Sequence, residues 1–527
     1  MNAFISDRNP ASRAVACFGV ATAAFTNVLI LLASPQHEAI FHWHGPISAL
    51  FVPAMANVLL LTALLTLFLG AIRRWQTIRR IAWSMLLSFL PLLLATSLNA
   101  ALGKGLSPKE MTGLSILCGL LFLISAFSLE ASLFEKFQKA GYVLLLAIAF
   151  SGGLLFVEDA WCWMEARHLL YTASQPAPPT HPVPHRSGRI IWIVLDELAY
   201  KQVFLDRSHD LALPSFDALR AQSTLFTNVI PAADHTELAI PAMVSGVPFK
   251  DVTIASDSQH LLERQTAGQW ISFDERNSVF ADAQAKGYNT AAAGWYIPYC
   301  RLLPHAISNC FWSSQFSPLR GLFPTDSILK NIAHPWVRVW RRSPVFWFSP
   351  ALRSEYRLRE NEHLQDYLAL SEASNKLLAS DQDNFLLLHM PIPHPDGIYD
   401  RHSKTYAVGS GSYLDNLALA DVYLGNLEKT LEDSHQWDDT TLLVMGDHSW
   451  RTNSWQKIGP WTAEDRVASG ESYDSRPVYM VKLPHQQLAE TINVPYQAVR
   501  TRALLDALMD EKILTTEELK QWVSTEE

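Results

Sequence analysis

The chain has 527 residues and a net charge of −9 at neutral pH. It is therefore too long for one ordinary domain, and its charge argues against nucleic acid as the main partner, which needs a basic surface. Apolar residues are concentrated in residues 1–160, whereas the remainder has the composition of a soluble α/β protein.

Five apolar stretches in the first part are each close to about 20 residues, the length that crosses a bilayer as a helix. Arg8 and Arg13 precede the first stretch as they would in a signal peptide, but four further stretches favour a membrane anchor. The alternative for any single stretch is a buried helix of a soluble protein. The predicted spans are Ala14–Ala33, Ile47–Gly70, Ile81–Leu102, Met111–Leu129 and Tyr142–Val157.

The distribution of basic residues between the spans predicts the orientation of the chain. The second loop contains RRWQTIRR (73–80), whereas the first loop (34–46) has no Lys or Arg. Because basic loops stay in the cytoplasm, the N-terminus and the 73–80 loop are expected there, although Lys104 and Lys109 in the third loop oppose this. Five spans then place everything after residue 160 outside the cytoplasm, as in a multi-pass protein of the plasma (inner) membrane.

A proline-rich segment separates the membrane part from the rest. SQPAPPTHPVPHRSG (174–188) has no apolar periodicity and is typical of an extended linker. The expected organisation is a transmembrane domain over 1–160, a linker over 161–188 and an extracytoplasmic domain over 189–527. Cys300 and Cys310 bracket a loop of that domain, and an oxidising compartment favours their pairing. Two free buried thiols are the alternative.

From Arg189 onward, apolar runs alternate with helical patterns. Near-continuous apolar strands that alternate with helices predict an α/β domain with a mainly parallel central sheet, covered by helices on both faces. Predicted strands are 189–197, 288–295, 384–390, 440–448 and 476–484, and predicted helices are 214–223, 278–289 and 412–431.

Polar residues follow several of these strands, where a parallel sheet binds its ligands. Asp196 and Glu197 follow the first strand, His389 to His394 follow another, and Asp447 with His448 follow a third. An Asp after a strand is often only the cap of the next helix. Carboxylates and an imidazole gathered at one edge instead predict a divalent cation, with zinc or manganese favoured by these ligands.

A catalytic metal ion at this edge is expected to activate a nearby nucleophile. The segment FTNVIPAADHTELAIPAMVSGVP (226–248) is centred on Thr236, which suits the cap of a following helix. The alternative is a nucleophile, because a metal-bound hydroxyl at a helix N-terminus ionises more readily and faces an anion-binding site.

Four motifs in this order resemble the sulfatase and alkaline phosphatase superfamily. They are VLDE (194–197), TELAIPAMVSG (236–246), PIPHPDG (391–397) and GDHSWR (446–451). With five spans and a threonine, the chain resembles the membrane-anchored branch, which includes phosphoethanolamine transferases and lipoteichoic acid synthases. The resemblance implies an alkaline-phosphatase-like catalytic domain over 189–527 that binds a divalent metal.

The resemblance assigns roles residue by residue. Thr236 matches the transferase nucleophile, and His394 resembles the histidine near the substrate phosphate. Asp196, Glu197, Thr236, Asp447 and His448 match the metal-binding positions, although Glu197 matches an acid that is a ligand only in some relatives. Possible substrate-binding residues are His389, Arg451 and Arg476.

Departures from the family narrow the expected chemistry. Sulfatases that use formylglycine need Cys or Ser followed by x-Pro-x-Arg, whereas residues 236–240 read TELAI. The resemblance therefore implies a phosphoryl-group transferase that moves a phospho-alcohol head group from a phospholipid donor to an envelope glycan or lipid through Thr236. The alternatives are a hydrolase with the same metal site, either a phosphodiesterase or an atypical sulfatase, and a non-enzymatic sensor with a relic site.

Overall fold

The chain folds into two compact units in the computed structural model. One comprises Met1–Leu170 and Pro318–Pro344, and the other comprises Tyr171–Ser317 and Val345–Glu527. The structure describes residues 9–33, 43, 45–102, 106–173, 188–254, 260–264, 268–314, 322–341, 361–458 and 461–525. The linker was predicted over 161–188, but residues 161–173 continue helix Ala131–Ala173. The proline-rich segment 174–188 lies outside the described residues except for its last position.

Five helices of the first unit are long and apolar enough to cross a membrane. Each overlaps one predicted span. Many of their large apolar side chains are exposed, including Leu67 at 71%, Phe150 at 71% and Val157 at 68%. A soluble protein rarely exposes so much apolar surface, and such a surface is typical of a membrane anchor. The helices are Pro10–Leu32, Ser48–Ala71, Gln76–Leu102, Pro108–Leu123 and Ala131–Ala173.

A sixth helix of the first unit comes from a distant part of the sequence. Helix Ile328–Arg341 packs against helix Ser48–Ala71. Trp336 Nε1 donates a hydrogen bond to Asn57 Oδ1 at 2.7 Å, and Asn331 Nδ2 donates one to the carbonyl oxygen of Ala49 at 2.8 Å. This association was not predicted, because nothing in the spacing of the sequence links residues 318–344 to the spans.

The second unit is built on an eight-stranded sheet with the order β14-β2-β13-β12-β1-β9-β7-β8. Strands β12, β1, β9, β7 and β8 run parallel, and β13 is antiparallel to both β12 and β2. The prediction of a mainly parallel sheet is confirmed. The strands are β1 Arg189–Leu195, β2 Thr224–Phe226, β7 Thr290–Trp295, β8 Asn309–Ser313, β9 Phe385–Met390, β12 Thr440–Met445, β13 Tyr479–Lys482 and β14 Glu490–Ile492.

Helices cover both faces of this sheet because its central strands are apolar on both sides. Ile191 and Ile193 of β1 lie in the core on one face, whereas Trp192 and Val194 lie in the core on the other. The helices that pack on one face or the other or border the sheet are Pro214–Ala221, Thr236–Ser245, Val279–Ala285, Tyr299–Leu302, Glu362–Leu378, Tyr413–Asp433, Thr452–Ile458, Ala463–Ser469, Thr501–Met509 and Thr516–Thr525.

Smaller sheets were not predicted, because their strands are short or strongly polar. Three strands form an antiparallel sheet, and two further pairs stand apart from the large sheet. They are β4 Phe249–Ile254, β5 His260–Arg264 and β6 Trp270–Ser272, the hairpin β10 Gly397–Asp400 with β11 Thr405–Gly411, and β3 Val229–Ile230 with β15 Tyr496–Gln497.

Cys300 and Cys310 form a disulfide bond in the second unit, which confirms the predicted pairing. The other cysteines, Cys17, Cys118 and Cys162, are free and buried. We expect denatured, unreduced protein to take up alkylating reagent at three cysteines, and reduced protein at all five. Mass spectrometry after alkylation checks this, and modification of Cys300 or Cys310 without reductant would contradict it.

Candidate active site

The register of three central strands brings the predicted site residues together. Strand β1 lies between β12 and β9, and its Val194 is paired with Met445 on one side and His389 on the other. The polar residues that follow β1 and β12 therefore meet at one edge of the sheet, beside His389. Asp196, His389, Asp447 and His448 are all fully buried there or nearly so, at 0–1% exposure.

Gly446 allows the two loops at this edge to approach each other closely. A Cβ atom at this position would lie 2.6 Å from the carbonyl oxygen of Leu198 and 3.0 Å from that of His448. Any side chain would push the loop after β12 away from the loop after β1. The glycine that ends the apolar run therefore brings Asp447 next to Asp196, and the backbone N–H of Glu197 donates to Asp447 Oδ1 at 3.1 Å.

Thr236 lies at the start of helix Thr236–Ser245 but does not cap it. The cap position belongs to His235, which has an extended backbone. The Thr236 hydroxyl instead donates to Asp196 Oδ2 at 3.0 Å and lies 3.4 Å from His448 Nε2. Its hydroxyl thus faces the buried cluster, an arrangement that favours the nucleophile over the helix cap.

The two buried carboxylates oppose each other's ionisation. Burial, together with the nearby charge of Asp447, raises the pKa of Asp196 well above its usual range. Burial alone would also raise the pKa of Asp447, but His448, His389 and the Glu197 N–H hold that pKa below its ordinary value. Two carboxylates this close share a proton unless a cation joins them.

Two imidazoles lie beside these carboxylates. His448 Nδ1 donates to the carbonyl oxygen of Ser449 at 3.0 Å, and His448 Nε2 lies 3.3 Å from Asp447 Oδ2. His389 Nδ1 bonds to the Tyr299 hydroxyl at 2.8 Å, and His389 Nε2 lies 3.6 Å from Asp196 Oδ2. Burial lowers the pKa of His389 to about 4, so the ring is neutral at neutral pH.

These facts fit a divalent cation. Asp196 Oδ1, Asp447 Oδ2 and His389 Nε2 are buried atoms with no hydrogen-bond partner among the described residues. Candidate ligand atoms of Asp196, His389 and Asp447 lie within 4.8 Å of one another, as do those of Asp196, Glu197 and His448. Buried acceptors that face each other without a shared proton or cation are costly. The residues therefore fit a metal ion with oxygen and imidazole ligands.

The His394 ring packs between aromatic side chains. Its ring packs edge-on against Trp295, with centroids 4.9 Å apart, and against Trp455 at 5.0 Å. Its Nδ1 donates to the carbonyl oxygen of Pro395 at 2.8 Å. Burial and the nearby His363 lower the pKa of His394 well below its usual range, so the ring is neutral. The role of His394 in binding phosphate remains a prediction.

The remaining predicted residues are paired with neighbours. Glu197 is fully buried and bonds to Arg451, with Nε at 2.7 Å and Nη2 at 2.6 Å from Oε1. Arg476 bonds to Asp474 through Nε and Nη2, and its Nη1 donates to the carbonyl oxygen of Thr227 at 3.0 Å. A substrate-binding role for Arg476 therefore stays a prediction, with its guanidinium already engaged.

Two aromatic residues of the site were missed in the sequence. Tyr299 holds His389, and its ring packs so close to Gly294 that a Cβ there would lie 2.1 Å from Tyr299 Cδ2. Trp455 donates from Nε1 to the Glu197 carboxylate at 3.0 Å and also packs on His394. Both residues lie in segments without a metal or nucleophile motif, so only their three-dimensional neighbours reveal them.

A parallel sheet with carboxylates, imidazoles and a helix-terminal threonine at its carboxyl edge defines an alkaline-phosphatase-like enzyme. The family model described as Sulfatase matches residues 189–496, which is more than half of the chain. The chain therefore belongs to the sulfatase family, and the superfamily resemblance of its motifs is confirmed. No curated protein matches the chain.

Solved structures are similar to the chain at low sequence identity. Ps i-CgsB in complex with k-i-k-neocarrahexaose is 16% identical, covering 64% of this chain and 76% of that chain, with a TM-score of 0.42. Phosphonate monoester hydrolase of Agrobacterium radiobacter is 13% identical, with coverages of 61% and 74% and a TM-score of 0.38. The lipoteichoic acid synthase LtaP from Listeria monocytogenes is 12% identical, with coverages of 65% and 77% and a TM-score of 0.35.

The contact between Tyr299 and His389 predicts an effect on metal binding. We expect Tyr299→Phe to weaken binding of Mn²⁺ or Zn²⁺ by about tenfold or more, because the hydroxyl holds the ring that presents Nε2 to the carboxylates. Isothermal titration calorimetry on the purified protein measures this. Tyr399→Phe in the β10 hairpin is the matched control, and unchanged metal affinity in Tyr299→Phe would contradict the assignment.

Proposed function

We propose that the protein is a membrane-anchored phosphoryl-group transferase that uses Thr236 as its nucleophile. The observation that carries this proposal is the Thr236 hydroxyl, which donates to Asp196 Oδ2 at 3.0 Å rather than to its own helix. The hydroxyl lies at the first turn of a helix, where backbone N–H groups favour an anion. Five apolar helices keep such an enzyme where a phospholipid donor is available.

The residues at the site support an in-line displacement. Thr236 Oγ1 attacks the phosphorus of a phosphodiester, and its proton passes to Asp196. The bond from phosphorus to the lipid alcohol breaks, and the departing alcohol takes a proton from water. A divalent cation held by Asp196, Asp447, His448 and Thr236, with His389 close by, would supply Lewis-acid stabilisation and lower the hydroxyl pKa.

His394 suits the second half of the reaction. Its ring is neutral, and Nδ1 donates its proton to the carbonyl oxygen of Pro395, so Nε2 is the nitrogen that would take up a proton. We assign it the removal of a proton from the acceptor hydroxyl that attacks the phosphothreonine, as a general base. The bond from phosphorus to Thr236 Oγ1 then breaks, and Thr236 recovers the proton that Asp196 took up in the first half. The acceptor would be a hydroxyl of an envelope glycan or lipid, with the catalytic domain outside the cytoplasm.

The identity of residue 236 argues against sulfate-ester hydrolysis through formylglycine. That route oxidises the unbranched Cβ of Cys or Ser to an aldehyde. Thr236 carries a methyl group on Cβ, so the same oxidation would give a ketone. The Thr236 side chain therefore keeps its hydroxyl, which is the group that can act as the nucleophile.

Removal of the Thr236 hydroxyl tests the proposal. We expect Thr236→Ala to lower turnover of bis-(p-nitrophenyl) phosphate by on the order of 10³-fold or more, because the covalent step is lost. The wild type quenched during turnover should carry a phosphoryl adduct on Thr236, which peptide mass spectrometry detects. Thr430→Ala, whose hydroxyl bonds within helix Tyr413–Asp433, is the control and should retain activity.

Equal turnover in the wild type and Thr236→Ala would instead indicate attack by water. Transfer and hydrolysis are separated by adding glycerol or ethanolamine. We expect these alcohols to accelerate turnover and to appear in the phosphodiester product. Release of inorganic or monoester phosphate at an unchanged rate would identify a phosphodiesterase.

A further inference from the structure

The Glu197 carboxylate is surrounded by hydrogen-bond donors. Its Oε1 accepts from Arg451 Nε at 2.7 Å and from Trp455 Nε1 at 3.0 Å, and Arg451 Nη2 lies 2.6 Å away. Its Oε2 accepts from the backbone N–H of Arg451 at 3.1 Å and from Trp455 Nε1 at 3.1 Å. A metal ligand needs a lone pair directed at the ion, whereas these oxygens are directed at an arginine and a tryptophan.

The backbone of Glu197 is also held in place. Its φ angle of 61° is in the left-handed region, which is uncommon for a residue with a side chain. The N–H donates to Asp447 Oδ1 at 3.1 Å, and the carbonyl oxygen accepts from the Tyr413 hydroxyl at 2.7 Å. The turn after β1 therefore directs Asp196 into the cluster and Glu197 toward Arg451.

Arg451 uses only one side of its guanidinium for this pairing. Nε and Nη2 face Glu197, whereas Nη1 has no hydrogen-bond partner among the described residues. The Arg451 side chain is 21% exposed, although that of Glu197 is fully buried. An arginine that is anchored at one edge and open at the other is arranged to bind an anionic oxygen.

The location of Arg451 places it close to the Thr236 hydroxyl, where a phosphoryl group would bind. It follows His448 by three residues, in the same loop after β12 as Asp447. Arg451 bonds to Glu197, whose backbone N–H donates to Asp447 Oδ1 at 3.1 Å. Asp196 precedes Glu197 in the chain and accepts from the Thr236 hydroxyl at 3.0 Å. Trp455 connects the pair of Glu197 and Arg451 to His394, because its ring packs on the imidazole at 5.0 Å while its Nε1 bonds to Glu197.

We propose that Glu197 is a positioning residue and not a metal ligand, and that it holds Arg451 so that Nη1 binds a non-bridging oxygen of the phosphoryl group at Thr236. This inference rests on the proposed function for the identity of the phosphoryl group. It replaces the expectation, drawn from the family resemblance, that Glu197 belongs to the metal site. Candidate ligand atoms of Asp196, Glu197 and His448 lie within 4.8 Å of one another, so a metal-binding role for Glu197 is the main alternative.

Metal affinity and anion affinity distinguish the two roles of Glu197. The full-length protein in detergent is titrated first with Mn²⁺ and then, when loaded with metal, with inorganic phosphate. We expect Glu197→Gln to keep the metal affinity of the wild type and to lose phosphate affinity by about tenfold or more, since the amide no longer balances and orients the guanidinium. Glu432→Gln on the surface of helix Tyr413–Asp433 is the matched control.

A second pair of variants tests the connection to Arg451. Arg451→Ala alone leaves Glu197 buried without its partner, so Glu197→Gln combined with Arg451→Gln is the safer variant. If Glu197 acts through Arg451, the double variant loses no more phosphate affinity than Glu197→Gln does, because coupled residues are not additive. In the kinetics with bis-(p-nitrophenyl) phosphate, the loss appears in KM as well as in kcat.

Three results would overturn the inference. They are a loss of Mn²⁺ affinity of about tenfold or more in Glu197→Gln, additive losses of phosphate affinity in the double variant, and absence of phosphate binding by the metal-loaded wild type. Failure of the proposed function is a separate result, because equal turnover by the wild type and Thr236→Ala says nothing about the metal and phosphate titrations.

Discussion

The burial of two carboxylates at adjacent strand ends is the interaction on which the site depends. The parallel pairing of β1 with β12 places Asp196 and Asp447 side by side at 0% exposure. Removing one carboxylate from water costs several kcal/mol, and a second negative charge nearby raises that cost. A fold that retains this pair needs compensating positive charge, and the neighbouring residues are arranged around that need.

In the part of the chain that the structure describes, the guanidinium that contacts this acidic cluster is already paired with Glu197. Asp196, Glu197 and Asp447 carry three negative charges when ionised, and Arg451 carries one positive charge. Arg451 is paired with Glu197, and burial keeps the His389 ring neutral. When Asp196 and Asp447 are both ionised, they carry two negative charges, which equals the charge of one divalent cation. The sign and the size of the imbalance agree with the orphaned oxygen and nitrogen atoms of the same cluster.

Much of the scaffold could be predicted because the strands are long, apolar and parallel. Runs such as RIIWIVL and FLLLHM are buried on both faces, and the position of a polar residue after such a run fixes the sheet edge where it lies. Asp196, Asp447 and His448 were found in this way. The short antiparallel strands β4 to β6 and the association of helix Ile328–Arg341 with the membrane unit have no comparable signal.

The direction of individual side chains was harder to predict than the position of the backbone. Glu197 and Asp196 are adjacent in VLDE, and spacing alone does not show that one faces the cluster while the other faces Arg451. That difference depends on the left-handed backbone at Glu197 and on the Trp455 ring, which comes from a segment far along the chain. Such contacts are set by tertiary packing, which local patterns do not contain.

The proposed role of Thr236 depends on an offset of one residue in the start of its helix. If the helix began one residue later, Thr236 would occupy the cap position, and its oxygen would accept a hydrogen bond from the backbone of the first turn. His235 instead takes the cap position, with φ −137° and ψ 139°. The threonine becomes the first helical residue, and its hydroxyl turns to Asp196 and His448. The pattern HTEL fits both arrangements, so the difference between a cap and a nucleophile arises only when the sheet edge and the helix terminus come together.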